Sequence, residues 1–178
     1  MQTREVVRAT SRYNTLMPIP EPRPLTPGEQ RARRRRVARI ARNLGFVGRV
    51  EYRHVYSQTG GAQFGRGSSQ EADLLTVYAE AFERDADPED FSLEAIIAHE
   101  CGHQILARHP RIAKRVAGIS EASEEILASL LGAMICNEDA DRVALYAKAI
   151  TELLSHGQSV EAATRQLQEL WNLLEALL

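Results

Sequence analysis

Cysteine is scarce in this chain. Cys101 and Cys136 are the only two in 178 residues, which excludes a disulfide framework. Long apolar runs are missing too. None approaches about 18 residues, so no transmembrane helix is expected. The first residues carry Arg4, Glu5 and Arg8 without an apolar stretch, so no secretory signal is expected and a cytoplasmic location is the default. No internal repeat is visible. Net charge is small, at −2, but only in sum. Residues 1–53 hold 13 Arg and 4 Glu, whereas residues 54–178 hold 9 Lys or Arg and 20 Asp or Glu. The two halves can attract each other, or the basic half can meet an anionic partner.

An apolar fraction of 44% is enough to build one buried core. Pro18, Pro20, Pro22 and Pro24 make an extended, polyproline-like stretch. Residues 1–28 therefore read as an arm and residues 29–178 as a single folded domain. Thr26-Pro27-Gly28-Glu29 is a helix start, with Thr as N-cap, Pro at the first helical position and Glu three residues on. The helix should run to about Asn43, with Val37, Ile40, Ala41 and Leu44 as its apolar stripe. Partial alternation over residues 46–56 predicts a strand. Ala62-Gln63-Phe64 predicts a shorter one, and the β-rich run at residues 74–79 another. After Pro88 the pattern turns helical. Ser92 caps a helix ending near Pro110, and a short helical stretch at 111–116 ends before Gly118. Ser120 or Ser123 caps a further helix to about Ile135. Helices from Asp139 to Leu154 and from Ser159 to Leu178 follow. The fold class is α+β: a small, mostly antiparallel sheet packed on the Ser92 helix, then a helical C-terminal half.

That helix contains His99-Glu100-Cys101-Gly102-His103. Positions i and i+4 share a helix face, so the two histidines point the same way. Two imidazoles so spaced can hold one zinc ion, and the Glu between them can act as general base on a metal-bound water. Cys101 lies on another face and reads as a small buried residue. A catalytic zinc needs a third protein ligand. His109 stands where a third His could follow, but Leu106 occupies the position where a Gly would turn the chain back to the metal. His109 is then a helix-end cation. The other candidates are Glu121, Glu124, Glu125 and Glu138. Glu125, Ala128, Ser129 and Gly132 make a small-residue face that would let their helix approach the motif helix closely, which favours Glu125. Ser129, one turn on, could hydrogen-bond a ligand histidine.

HECGH followed by EEILASLLGA resembles the gluzincin proteases of the ImmA/IrrE type and the minigluzincins. Their second motif is a Glu followed by Ala and then a small or polar residue, matched here by Glu125, Ala128 and Ser129. The resemblance covers roughly residues 46–136. It implies a zincin-like fold, a Zn2+ cofactor and a peptide or protein substrate. It also implies that residues 74–79 form the edge strand above the motif helix, where substrate backbone pairs by strand addition. Ala107-Arg108-His109 and the stretch from Asn137 to Ala144 resemble the M48 peptidases instead. There Asn137 stands at the family's Glu position, and Glu138 is one residue out of register, turned by about 100° on a helix.

The expected reaction is metal-assisted peptide hydrolysis with Glu100 as base. Tyr146, His156, His109, Tyr56 and His54 are candidate donors to the oxyanion. Two further readings differ in kind. Arg31, Arg33, Arg34, Arg35, Arg36, Arg39 and Arg42 could contact nucleic-acid phosphates in a zinc-binding but peptidase-inactive module. No aromatic residues interleave with them, which favours a solvated arginine face instead. Residues 1–28 could also lie in the cleft as a prosegment, added as a strand beside residues 74–79.

Overall fold

A computed structural model describes residues 21–57, 60–116 and 124–178. The chain is α+β, with a three-stranded mixed sheet among helices. The first helix, α1 (Pro27–Asn43), begins on the capping box. The Thr26 hydroxyl accepts from Glu29 N, and the Glu29 carboxylate accepts from Thr26 N at 2.7 Å. These bonds, the backbone one foremost, lower the Glu29 pKa to about 2. Val37, Ile40 and Ala41 are buried, and Gly45 at φ 80° ends the helix in the left-handed conformation.

Strands β1 (Arg49–Tyr52), β2 (Ala62–Gly65) and β3 (Leu74–Val77) form the sheet in the order β1-β3-β2. β1 runs parallel to β3, and β2 runs antiparallel to it. The sheet is thus mixed rather than mostly antiparallel. The expected edge strand is the central one. Leu75, Thr76 and Val77 are buried in succession, as befits a strand covered on both faces, whereas β2 alternates and lies at an edge. Both flanks of β3 are occupied, which removes the room for an arm to add there. Residues 1–20 of that arm lie outside the described residues. The strand expected over 74–79 also ends early. Ala79–Arg84 form a short helix, α2, which buries Ala79 and Ala81. Ala, Glu and Arg are good helix formers, and that local preference outweighs the β-rich run before it. The strand expected over 46–56 shrinks to four residues.

α3 (Leu93–Arg108) is the central helix. The Ser92 hydroxyl accepts from Ala95 N at 3.0 Å and donates to Asp141 at 2.6 Å. α3 packs on α1 and β2 on one side and on α5 (Glu124–Ile135) and α6 (Asp139–Ser155) on the other. α4 (Pro110–Val116) and α7 (Val160–Leu177) complete a second core around Leu130, Leu131, Leu153, Leu167 and Leu170. The Ser120 or Ser123 cap expected before α5 lies outside the described residues. Gln104 latches α3 to the sheet: its amide accepts from Val47 N and donates to Val47 O and Asp73. No helix among the described residues is long and apolar enough to cross a membrane.

Two glycines set the spacing of α3 and α5. A Cβ on Gly102 would lie 2.1 Å from Ala128 O, and one on Gly132 would lie 2.8 Å from Ala98 O. The small-residue face read from the sequence is thus a backbone-to-backbone contact. Gly102→Ala should cost at least about 2–3 kcal/mol, because neither clashing atom is the end of a flexible side chain. Denaturant unfolding measures this, and an unchanged midpoint would mean the helices are free to separate.

Candidate metal centre

His99 and His103 project from α3 toward Glu125 in the first turn of α5. His99 Nε2 lies 3.1 Å from Glu125 Oε2, and His103 Nε2 lies 3.3 Å from Glu125 Oε1. One ligand atom from each of the three residues falls within 4.8 Å of the others, so the group could hold a metal ion. The His99 hydrogen bond is the main reason the Glu125 carboxyl is lowered to about 2. It is therefore ionised across the ordinary pH range and available as an anionic donor.

The other nitrogen of each imidazole is also engaged. Ser129 Oγ lies 3.1 Å from His99 Nδ1, and Glu124 Oε1 lies 3.0 Å from His103 Nδ1. A metal that displaced the Nε2 protons would leave Nδ1 donating to these oxygens and the Nε2 lone pairs facing the shared point. Glu124, a candidate ligand in the sequence, is placed here as a partner of His103. Glu138 caps α6 and His109 caps α3, and neither lines the cleft. Asp141 is buried against Ser92. Glu121 lies outside the described residues. Cys101, between the histidines, is buried, and burial pushes its thiol up to about 12. It therefore stays a neutral thiol, turned away from the three donors.

The three residues sit in a cleft of about 480 Å³ between β2, α3, α5 and α6. Glu100 reaches into the same cleft. Its Oε2 accepts a 2.7 Å hydrogen bond from Phe64 N on the edge strand. Phe64 N–H therefore points away from β3, and by strand alternation the Ala62 peptide groups face the same way. Phe91, Ile96 and Leu145 make an apolar wall.

None of the five donors considered from the sequence lines this cleft. Tyr146 stacks edge-on with Trp171, and Tyr56 donates to Glu83. His54 lies between Tyr52 and Arg23, and His156 lies beside Glu152. Lys148 on α6 is there instead. Its Nζ lies 3.0 Å from His99 Nε2 and 3.6 Å from Glu125 Oε2, and burial lowers its pKa. No local pattern marked it, because α6 meets α3 only through the tertiary fold.

The arginine helix is partly absorbed by the fold. Arg36 pairs with Asp85 at 2.6 Å, while Arg33 donates to Tyr52 and covers the Phe82 ring at 4.4 Å. Arg31, Arg34, Arg35, Arg39 and Arg42 remain exposed.

No family model matches this sequence, and neither a curated protein nor a solved structure matches it significantly.

Proposed function

We propose that this chain is a zinc-dependent metalloendopeptidase of the gluzincin type, with a zincin-like arrangement of sheet and helices. The observation that carries the reading is the convergence of His99, His103 and Glu125 at a cleft that also holds Glu100. The donor set suits zinc: two imidazole nitrogens and one carboxylate leave a fourth position open. One ligand atom from each residue lies within 4.8 Å of the others, so small side-chain shifts would bring the three to a tetrahedral zinc, whose donor atoms stand about 3.3 Å apart.

Bound there, zinc would supply Lewis acidity and a water acidified toward a pKa of about 7. The remaining chemistry belongs to the chain's own residues. Phe64 N–H holds one oxygen of Glu100, which orients the carboxylate and leaves the second oxygen to accept the proton of the attacking water. Glu100 then delivers that proton to the nitrogen of the departing amine. The outward peptide groups of β2 offer an extended peptide a strand to join, so substrate would lie along residues 62–65 rather than along β3. The apolar wall of Phe91, Ile96 and Leu145 would receive a side chain and exclude water.

Metal analysis of the full chain tests this. Purified protein supplied with zinc should hold one equivalent and cleave unfolded protein substrates. A chelator should remove both the metal and the activity, and zinc should restore them. A chain that takes up no zinc when supplied would overturn the reading.

A further inference from the structure

The cleft holds few polar groups free to meet a developing negative charge. Phe64 N–H is engaged by Glu100. Arg84 is engaged by Asp90 and by Gly60 O. The remaining cation in the cleft wall is Lys148. Its Nζ stands 3.0 Å from His99 Nε2 and 3.3 Å from Nδ1. A point in the ring plane almost equally far from both nitrogens would collide with Cε1 between them. The ammonium therefore stands over the face of His99 and does not take the in-plane position at Nε2, where Glu125 stands. Metal ligation by His99 and occupancy by Lys148 are compatible in space.

They are less compatible in charge. Among the described residues, Glu125 is the carboxylate in contact with both the ammonium, 3.6 Å from Nζ, and the two imidazoles, and Glu100 and Glu152 act on Lys148 as well. Once Glu125 serves a divalent ion, that ion and the ammonium face the same space, and both favour an anion arriving between them. We propose that the Lys148 ammonium donates a hydrogen bond to the oxyanion formed when water attacks the carbonyl of a bound peptide. The role rests on the hydrolytic reading above. The bond that forms is water oxygen to carbonyl carbon, and the bond that breaks is carbon to nitrogen. Glu100 carries the proton between water and amine, while Lys148 keeps its own.

The test uses the full chain with Lys148→Met and Lys148→Arg, read by binding rather than turnover. The probes are a blocked alanyl tetrapeptide and its analogue with a phosphinic group in place of the central amide. Zinc affinity is measured beside them by chelator competition. The amide peptide is measured in a Glu100→Gln background, which keeps it uncleaved. Lys148→Met should keep its zinc and bind the amide peptide within about threefold of its parent, since that contact is not made in the ground state. It should bind the phosphinic peptide about 100-fold more weakly, the scale of one lost oxyanion donor. Lys148→Arg should recover part of that loss. Equal weakening toward both peptides would overturn the proposal, because Lys148 would then bind substrate and transition state alike. Loss of zinc would overturn it in favour of a part in holding Glu125. Wild type that takes up no zinc sinks the hydrolytic reading and this role together, and the metal measurement alone reads that.

Discussion

Glu100→Gln should hold zinc as tightly as the wild type and hydrolyse peptides about 1,000-fold more slowly, within the range for removing a positioned general base. Glu100 is not one of the three clustered donors, and one of its oxygens is tied to Phe64 N at 2.7 Å. A glutamine carbonyl can keep that bond, so the side chain, the edge strand and the cleft stay in place. The amide cannot accept the proton of the attacking water. Zinc content and peptide cleavage, measured on one sample, separate the possibilities. Retained turnover would place the base elsewhere, and lost metal would make Glu100 a ligand.

The second large effect is on metal binding. Glu125→Ala should weaken zinc by more than about 100-fold, beyond what the loss of an outer hydrogen-bond partner costs. Glu125 bridges the two imidazoles at 3.1 and 3.3 Å, and among the described residues no other carboxylate contacts both. Its side chain is 54% exposed in the first turn of α5, so truncation should leave the fold intact. Glu124 is the internal comparison. It is one residue away and more exposed, and it touches only the far nitrogen of His103. Glu124→Ala should cost about 10-fold by the same chelator competition, the lower end for a group that orients a ligand. Equal losses, or a larger loss from Glu124, would reverse the two assignments.

Several of these features are legible in the sequence because they are local. Thr26 with Glu29, Ser92 with Ala95 and Ser159 with Ala162 are caps whose partners lie three residues away, and each forms. The i, i+4 spacing of His99 and His103 needs only a helix. The face shared by Glu125, Ala128, Ser129 and Gly132 needs only a second one. Features that depend on how elements pair are not legible in this way. Residues 74–77 read as a strand, but their place at the centre follows from burial on both faces. The near-continuous apolar run Leu74-Leu75-Thr76-Val77 was the available sign. The α2 helix was hidden because Ala79 ends one pattern and begins another. Phe64 acts through its backbone, which leaves no trace in residue type. Lys148 looks like any exposed lysine until α6 is folded against α3.

The contacts of Gly102 with Ala128 and of Ala98 with Gly132 act as a fixed-span caliper. His99 and His103 ride on one jaw and Glu125 rides on the other, and the jaws meet backbone to backbone at these glycines. The separation of the helices that carry the imidazoles and the carboxylate is therefore set by the two main chains. Such a gauge would favour a small ion with four short bonds over calcium, which needs six to eight oxygens at about 2.3–2.6 Å and a site that can widen to admit them.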